Sequence, residues 1–346
     1  MKDQHHHQRV IFMQRAMDLA LLGLGNVAPN PLVGCVIEVD GRIIGEGYHR
    51  RYGEAHAEVN AVNSVADKSL LTEATVYVNL EPCAHYGKTP PCADLLIEHQ
   101  VKKVVISNVD SNPLVGGKGI AKLVSAGIVV ESGVLENEGR ELNKRFFTYI
   151  EKKRPYVILK WAETSDGFIA RENFDSKWIS GEESRQLVHR WRAEEPAILV
   201  GTNTALHDDP QLNVRNWSGN DPVRVVIDKN GTLPKSLKLF DGQQRTIVYT
   251  TREISSQKNL EFVTLRTDEF LKGLLADLYS KALQSVIVEG GASTLCHFIN
   301  NGMWDEARVF TSSTTFGKGI PAPALNAKVV METKIAGDTL KIYRND

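Results

Sequence analysis

Cysteine is scarce in this sequence: the 346 residues include only Cys35, Cys83, Cys92 and Cys296. So few thiols in so long a chain, without an export signal, cannot form the disulfide framework of a secreted protein. Clustered cysteines in a reducing compartment are instead typical of metal sites or catalytic sites. We therefore expect a cytoplasmic protein in which Cys83 and Cys92, which lie close in sequence, have a chemical role.

The sequence also has no excess of charge of one sign and no long apolar run. Lys and Arg total 41 against 42 Asp and Glu, so no overall field attracts a nucleic-acid backbone or an anionic membrane. No run of about 18 apolar residues is present, and residues 1–20 resemble a polar tail entering an amphipathic helix, not a signal peptide. We expect neither a nucleic-acid nor a membrane partner, and an anionic substrate must be bound by local groups.

The sequence contains no repeat of fixed period, no low-complexity segment and no G-x-G-x-x-G after a predicted strand. Its "GLG" at Gly23 to Gly25 follows a helix and is typical of a helix end. These absences argue against a solenoid and against a Rossmann domain.

The length and composition indicate two ordinary globular domains. A chain of 346 residues exceeds the size at which single cores stop growing, about 250 residues, and 42% hydrophobic with 24% charged residues is enough for packed cores. A new alternation of strands and helices starts at "YVILKWA", after a charged segment and Arg154-Pro155. We expect the boundary near Lys152 to Pro155, with domains at 1–152 and 153–346.

The first half alternates helices and strands in an order that predicts an α/β sandwich. A helix at Val10 to Leu22 precedes two strands joined at Asp40-Gly41, a dipeptide suited to a type I′ turn. The helix "AEVNAVNSVAD", the strand "ATVYVNL", a short helix from Cys92 and the strand "KKVVISNV" follow. A further helix and strand come next, and "NEGRELNKRFFTYIEKK" predicts one long amphipathic helix.

The second half predicts another α/β domain. The expected strands are "PAILVG", "PVRVVID", "RTIVYTT", "LEFVTL" and "SVIVEGG", with helices at "EESRQLVHRWRAEE" and "DEFLKGLLADLYSKAL". The run "SVIVEGGASTLCHF" passes from strand to helix through Gly290-Gly291, a junction that can bring backbone N–H groups to an anion. A plain glycine turn remains an alternative for this junction.

One histidine and two cysteines predict a zinc site. His56-Ala57-Glu58 starts a predicted helix, and Cys83 and Cys92 each follow proline at a strand-to-helix junction. Thiolate and imidazole are preferred zinc ligands, and three of them leave the fourth position for water, whose pKa zinc lowers to about 7. Glu58 could then move the proton. The pattern is that of zinc deaminases, H-x-E followed by P-C-x-x-C.

The match departs from that pattern between the cysteines. Eight residues separate Cys83 from Cys92 instead of two, and His85 lies between them as a rival ligand. A structural zinc site or a pair of buried cysteines are the alternatives. We expect Cys35 and Cys296 to be core residues.

The stretches "HAEVNA", "EPCAHYGKTPPC" and "APNPLVG" resemble the deaminase domain of the bifunctional riboflavin-biosynthesis deaminase/reductase family, which has such a long insertion between its cysteines. The resemblance implies a cytidine-deaminase-like fold, His56, Cys83 and Cys92 as zinc ligands, and Glu58 as the catalytic proton carrier. It further implies a set of contacts to the pyrimidine or its ribose phosphate, namely Asn30, His49, Lys88 and Asn112.

The stretches "KWAETSDGFIA" and "SKWISGEESRQLVHRWRAEEPAILVGTNTALHDDPQLNVR" resemble the reductase half of the same family, which implies a dihydrofolate-reductase-like fold and NADPH as cofactor. The implied nucleotide contacts are Ala162, Trp178, Thr204, Asp208, Gly291, Ala292, Ser293, Thr294, Leu295, Cys296 and His297. The implied substrate contacts are Ser176, Arg192, Leu212, Arg215 and Glu289. The family usually has Leu where this chain has Ser165 in "TSDG", which puts the local packing there in doubt.

The chemistry of these residue types suits the implied reaction. Arg192 and Arg215 can donate bidentate hydrogen bonds to a ribose phosphate. Reduction of a ring-opened ribosylamine needs hydride at C1′ and a proton donor, for which Lys160, Asp208 and Glu289 are candidates.

The resemblance covers nearly the whole chain and implies two successive activities on a small pyrimidine ribose phosphate. The first is zinc-dependent deamination of 2,5-diamino-6-ribosylamino-4(3H)-pyrimidinone 5′-phosphate, and the second is reduction of the ribosyl chain of the product by NADPH. A binding protein with lapsed catalysis and a nucleic-acid deaminase are the alternatives, which the intact His-x-Glu and the balanced charge respectively disfavour. We expect a homo-oligomer, with a dimer as the default.

Overall fold

The structure is a computed structural model, and it describes residues 2–86, 90–113, 115–177 and 179–345. The chain divides into two compact units, one up to Lys153 and one from Arg154. The predicted site residues Lys88 and Trp178 lie outside the described residues. Within the described ranges, no helix is long and apolar enough to cross a membrane.

The N-terminal unit is an α/β/α sandwich. Its elements are α1 (Lys2–Leu21), β1 (Gly34–Val39), β2 (Arg42–Tyr48), α2 (Ala57–Ser64), a 3₁₀ helix (Lys68–Glu73), β3 (Thr75–Leu80), α3 (Cys92–Glu98), β4 (Lys103–Asn108), α4 (Lys118–Ser125), β5 (Val129–Ser132), α5 (Glu136–Leu142) and α6 (Lys144–Lys152). The sheet order is β2-β1-β3-β4-β5, with β3, β4 and β5 parallel.

Alternation along the strands builds a core on each face of this sheet. In β3, Val76 and Val78 pack with α2, α3 and α4, whereas Tyr77 between them packs with α1 on the opposite face. Cys35 in β1 is fully buried, as expected. The predicted sandwich is therefore confirmed.

The turn between β1 and β2 has the predicted conformation. Asp40 and Gly41 have φ of 48° and 77°, the two positive values that a type I′ turn requires.

The prediction of one long helix at "NEGRELNKRFFTYIEKK" is wrong, because the helix is interrupted at Asn143. The side-chain amide of Asn143 donates to the carbonyl of Leu32 at 2.9 Å, and its side-chain oxygen accepts from the Leu32 N–H at 2.8 Å. This buried pairing holds the backbone of Asn143 at φ −101°, ψ 23°, outside the helical range. The segment therefore forms α5 and α6 as two short helices.

The C-terminal unit is a second α/β domain. Its elements are β6 (Tyr156–Glu163), β7 (Phe168–Ala170), α7 (Glu182–Glu194), β8 (Ala197–Gly201), α8 (Thr202–Asp208), β9 (Val223–Ile227), a 3₁₀ helix (Lys238–Phe240), β10 (Thr246–Thr250), β11 (Leu260–Thr264), α9 (Phe270–Ser280), β12 (Ser285–Val288), α10 (Ala292–Asn300), β13 (Glu306–Thr311), β14 (Ile320–Pro321), β15 (Lys328–Ile335) and β16 (Asp338–Arg344).

Nine of these strands form one sheet in the order β11-β10-β9-β8-β12-β6-β13-β16-β15. The first seven are parallel, and β16 and β15 run antiparallel to their neighbours. Helices α9 and α10 cover one face, and α7 and α8 cover the other. The carboxyl ends of the parallel strands therefore open on one edge of the sheet, where ligands bind in open α/β sheets.

Strands β7, β13, β14, β15 and β16 and helix α8 have no counterpart in the sequence prediction. Strand β15 shows why: Val329, Val330 and Met331 follow one another and are all 42–45% exposed, so apolar and polar residues do not alternate. The signal on which strand prediction depends is absent there.

Candidate active sites

The predicted zinc ligands lie together in the N-terminal unit. His56 precedes the first turn of α2, Cys83 follows β3, and Cys92 begins α3. The His56 Nδ1 atom is 3.6 Å from Cys83 Sγ and 3.4 Å from Cys92 Sγ. All three candidate ligand atoms lie within 4.8 Å of one another, and His85 is exposed and outside this cluster.

One imidazole and two thiols at this spacing fit zinc, which prefers such ligands and binds four of them in a tetrahedron. Hydrogen bonding favours the deprotonated state that zinc needs at Cys83, whereas the hydrogen bond to Cys83 and burial raise the pKa of the Cys92 thiol. The Cys92 thiol, the His56 ring and the Cys92 backbone N–H all contact Cys83 and lower the pKa of its thiol to about 4. Three protein ligands leave one position for a reactant, as in catalytic zinc sites.

Glu58 lies beside the ligand cluster and is almost completely buried. Burial raises the pKa of its carboxyl to about 7, and the negative charge of Cys83 raises it further. A carboxyl with a pKa near neutrality can both accept and donate a proton. The position and the raised pKa of Glu58 would therefore allow it to exchange a proton with a reactant at this cluster.

Two of the predicted substrate contacts neighbour the predicted zinc ligands. The His49 ring is edge-on to the His56 ring, with centroids 5.4 Å apart. Its Nδ1 is 3.1 Å from the Ala55 carbonyl and must be the donor there, because a carbonyl only accepts. The Asn30 amide therefore donates to His49 Nε2 at 3.1 Å. These two polar groups stand at the edge of the cluster.

Glu81 is a structural residue of this site that sequence analysis missed. Its buried carboxylate accepts hydrogen bonds from the backbone N–H groups of Asp110, Gly117, Gly119 and Ile120 at 2.9–3.2 Å. The carboxylate thereby ties the segment before Cys83 to the loop after β4 and to the start of α4. Its position directly before Pro82-Cys83 was the only sequence signal.

Asn112, the remaining predicted substrate contact, lies in that loop after β4. Its backbone N–H donates to the Asp110 carboxylate at 2.7 Å, and its carbonyl accepts from Val115 and Gly116. Asn112 is thus part of a tight turn that Glu81 holds in place.

The second candidate site is a cavity of about 950 Å³ in the C-terminal unit, at the carboxyl ends of β6, β8 and β9 and at the start of α10. Most predicted contacts line it: Ala162, Ser176, Arg192, Thr204, Asp208, Arg215, Glu289, Gly291, Ala292, Ser293, Thr294, Leu295 and His297. Leu212 and Cys296 do not. The Leu212 side chain is buried in the core, and Cys296 is half-buried on α10, so it is also less buried than expected for a core residue.

The glycines before α10 allow close packing at the cavity. A Cβ on Gly290 would lie 2.7 Å from the backbone nitrogen of Gly201, and a Cβ on Gly201 would lie 2.1 Å from Thr294 Oγ1. The start of α10 therefore abuts the end of β8. The first residues of a helix present unpaired N–H groups, which suit the phosphates of a dinucleotide.

A buried cluster of charged side chains lines part of the cavity. The Arg192 guanidinium donates to the Glu289 carboxylate from Nε at 2.9 Å and from Nη2 at 2.8 Å, and its Nη1 donates to the Asn213 carbonyl at 3.3 Å. Lys160 Nζ lies 4.0 Å from the same carboxylate. The donors that we expected Arg192 to offer to a phosphate are thus directed at protein acceptors.

The three charged side chains shift one another's pKa values. Although burial opposes ionisation of Glu289, Arg192 and Lys160 lower the pKa of its carboxyl to about 2. Burial lowers the pKa of the Lys160 ammonium, the Glu289 carboxylate partly opposes this shift, and Arg192 adds to it. Glu289 therefore holds no proton near neutral pH, whereas Lys160 holds one that it can release more readily than a surface lysine.

His189 is a cavity residue that sequence analysis missed. It follows Arg185 by one turn of α7, and both line the cavity. Its Nδ1 accepts from the backbone N–H of Arg215 at 3.2 Å. Burial and the charges of Arg192 and Arg215 lower the pKa of the ring to about 4, so this imidazole is neutral at physiological pH.

Comparison with known proteins identifies the family. Residues 6–108 match the zinc-binding region of cytidine and deoxycytidylate deaminases, and residues 155–335 match the RibD C-terminal domain. The chain is 41% identical over 329 residues to the riboflavin biosynthesis protein RibD of Aquifex aeolicus, with 93% of this chain and 92% of that protein covered. This chain belongs to the RibD family. Members are bifunctional enzymes of riboflavin biosynthesis with a deaminase and a reductase, and zinc and NADPH are the cofactors of the two activities.

Solved structures agree with this assignment. The deaminase/reductase of Thermotoga maritima superimposes with a TM-score of 0.91 at 41% identity, covering 98% of this chain and 99% of that one. Acinetobacter baumannii RibD superimposes with a TM-score of 0.90 at 36% identity over the same shares. The expected fold classes of both domains are confirmed.

Proposed function

We propose that the N-terminal unit of this RibD protein deaminates 2,5-diamino-6-ribosylamino-4(3H)-pyrimidinone 5′-phosphate. We propose that the C-terminal unit then reduces the ribosyl chain of 5-amino-6-(5-phosphoribosylamino)uracil to ribityl. The observation that carries the proposal is the pairing, in one chain, of the His56, Cys83, Cys92 and Glu58 cluster with a separate cavity containing Lys160 and Glu289. The Thermotoga maritima relative is named for the corresponding deaminase and reductase activities.

In the deaminase site we assign His56, Cys83 and Cys92 as the zinc ligands. Bound zinc supplies the Lewis acidity that makes a water molecule nucleophilic near neutral pH. Glu58 accepts the proton of that water and passes it to the amine that leaves as ammonia. We assign Asn30 and His49, which contact each other beside the cluster, to the pyrimidine. We expect Lys88 to take part as well, and it lies outside the described residues.

In the reductase site we assign Lys160 as the proton donor. Its ammonium gives a proton to the ribose ring oxygen as the bond between C1′ and that oxygen breaks, which leaves an iminium ion at C1′. NADPH supplies the hydride that C1′ then receives. Glu289 cannot fill this role because Arg192 and Lys160 keep its carboxyl ionised. Burial raises the pKa of the Asp208 carboxyl, but the Ser176 hydroxyl donates to it at 3.2–3.3 Å and so favours its ionised form, for which reason we assign Lys160. Glu289 instead orients Lys160 and balances its charge.

The substrate phosphate needs a cationic partner other than Arg192, whose charge Glu289 already balances. Arg215 fits this role. Its Nη1 donates to the neutral side-chain oxygens of Gln211 and Asn213, and no carboxylate of the described residues pairs with it. We therefore assign Arg215 to the phosphate and Arg192 to the Glu289 carboxylate.

A coupled assay tests the function. Purified protein with the diaminopyrimidine substrate and NADPH should release ammonia and oxidise NADPH in equal amounts. Glu58→Gln should stop ammonia release and keep zinc, and it should still oxidise NADPH when the deaminated intermediate is supplied. Ammonia release from single-stranded DNA or tRNA but not from the pyrimidine phosphate would instead identify a nucleic-acid deaminase, and binding without turnover would identify a sensor.

We propose that the protein is a homodimer that pairs through β15. This strand is the last of the nine-stranded sheet, so one of its backbone edges is unpaired in the described chain. Its exposed Val329, Val330 and Met331 would be covered by a second copy running antiparallel. Glu332 and Lys334 give the strand both signs of charge. Sedimentation should show a dimer that Val330→Lys dissociates, and a monomeric wild-type protein would refute the proposal.

We propose a cytoplasmic location. The two thiols of the zinc cluster are free, and thiol ligands persist where the compartment keeps cysteines reduced. Fractionation of cells that express the protein checks this assignment.

A further inference from the structure

The strand order of the C-terminal unit indicates where each end of a dinucleotide lies. Strands β9, β8, β12 and β6 are consecutive in the sheet, and their carboxyl ends share one edge. Ala162 lies near the end of β6, α10 begins after β12, and Lys229 follows β9. Adjacent strands are about 4.8 Å apart, so β6 and β9 are separated by roughly 14 Å.

An extended dinucleotide can span this distance. With the nicotinamide beside Ala162, where β6 ends and Lys160 lies, the phosphates meet the start of α10. The adenosine then reaches the end of β9. The residues that follow β9 and line the cavity are Asp228, Lys229, Asn230 and Thr232. The group that recognises the adenosine ribose is therefore expected among them.

Asp228 is already engaged by the protein. Dinucleotide sites that select NADH commonly use an acidic residue to accept hydrogen bonds from the ribose hydroxyls. Here the Asp228 carboxylate accepts from the backbone N–H groups of Thr232 at 3.1 Å and Leu233 at 3.0 Å. It is buried and closes its own turn, so it does not offer the ribose the acceptor that favours NADH.

Lys229 is held in position with its charge unpaired. Its carbonyl accepts from the Thr251 N–H at 2.9 Å and from the Thr251 hydroxyl at 2.7 Å, which fixes the backbone against the end of β10. Its Nζ lies 4.8 Å from the centre of the Phe270 ring. No carboxylate of the described residues forms an ion pair with it. A cation at this position favours an anionic group on the ribose.

We propose that Lys229 binds the 2′-phosphate of NADPH and so makes the reductase prefer NADPH to NADH. The proposal rests on the reductase function proposed above and adds the residue that sets the choice between the two cofactors. The Phe270 ring beneath Nζ keeps the lysine extended along the cavity wall, because a cation over an aromatic face is attracted to it.

Binding of adenosine nucleotides tests this role without turnover. Calorimetric titration should show that the wild-type enzyme binds 2′,5′-ADP more tightly than 5′-AMP, which lacks only the 2′-phosphate. Lys229→Gln should weaken 2′,5′-ADP by about 10- to 100-fold, the range for a lost charge-assisted hydrogen bond, and leave 5′-AMP within about 2-fold. Lys229→Arg should retain most of the preference.

Arg252→Gln is the matched control. Arg252 is an exposed cation just beyond the neighbouring strand β10 and does not line the cavity, so this variant should bind both nucleotides as the wild type does. Equal weakening of 2′,5′-ADP and 5′-AMP by Lys229→Gln, or no weakening, would overturn the proposal while the reductase assignment stood. A wild-type enzyme that bound neither NADPH nor NADH would refute the reductase function itself.

Discussion

Arg192 donates two hydrogen bonds to Glu289 across 97 residues of sequence, and both side chains are nearly buried. A buried ion pair costs much solvation to form, and removal of one partner leaves the other charge without compensation. Replacement of either residue alone should therefore destabilise the C-terminal unit.

Arg192→Met should destabilise the C-terminal unit by about 3–5 kcal/mol in its free energy of unfolding, because Glu289 stays charged and buried. The double variant with Glu289→Met should lose less than the sum of the two single variants. Urea unfolding measures both values. The control is Arg190→Ala on the same helix, whose exposed pair with Glu194 should contribute less than about 1 kcal/mol. Additive losses for Arg192 and Glu289 would contradict the coupling.

The assignment of Lys160 as proton donor predicts that the reductase rate falls at alkaline pH. Burial lowers the pKa of its ammonium, and a proton donor works only while protonated. The reductase rate should therefore be full below this lowered pKa and fall as pH rises through it. Rates measured against pH on the deaminated intermediate check this limb.

The matching variant is Lys160→Met, which should reduce the rate below that pKa by about 10²- to 10⁴-fold and remove the alkaline limb. NADPH binding should be retained. Lys238→Met, on the surface beside Asp209, should leave the profile unchanged. An unaltered alkaline limb in Lys160→Met would exclude Lys160 as the donor.

The zinc cluster predicts a selective effect of cysteine replacement. Cys92→Ser should abolish zinc binding and ammonia release, because a serine hydroxyl is a poor zinc ligand beside a thiolate and an imidazole. NADPH oxidation of supplied intermediate should persist, since the reductase cavity lies in the other unit. Metal analysis should find one zinc per chain in Cys296→Ser as in the wild type. A zinc-loaded Cys92→Ser protein would disprove the ligand assignment.

Close packing at Gly119 links α4 to the segment that carries Cys83 of the candidate zinc cluster. A Cβ there would lie 2.0 Å from the carbonyl oxygen of Pro82, the residue before Cys83. Gly119→Ala should thus cost about 1–3 kcal/mol in the unfolding of the N-terminal unit and speed zinc loss to a chelator. Gly127→Asn, whose added side chain meets open space, should leave zinc retention unchanged, and its only cost should be that of φ 85°, which Asn tolerates better than most residues. Normal zinc retention in Gly119→Ala would show that the contact is dispensable.

Sequence analysis singled out His56, Glu58, Cys83 and Cys92 as one candidate cluster because the pattern is local, and the structure brings His56, Cys83 and Cys92 together. His56 and Glu58 share one turn, and each cysteine follows proline beside a predicted strand end, so residue type and spacing were sufficient. The eight residues between Cys83 and Cys92, a departure from the general deaminase pattern, pointed to the riboflavin family that the comparisons confirm.

The parts that could not be predicted depend on contacts between distant residues. Nothing near Arg192 in sequence indicates that Glu289 takes its donors, so the expected phosphate contact was assigned from residue type alone. The break at Asn143 depends on Leu32, 111 residues away, and the role of Glu81 depends on the loop after β4. Patterns within a short window carry no signal of such pairings.

The division of the chain into two units, each with its own sheet and its own site, has a genetic consequence. An allele that replaces Glu58 should inactivate the N-terminal unit and leave the C-terminal unit folded. An allele that replaces Lys160 should do the reverse. If the intermediate diffuses between molecules, a riboflavin auxotroph supplied with both defective genes should grow without riboflavin, although neither gene alone supports growth. The two halves of this protein should therefore behave in a cross as two separate genes.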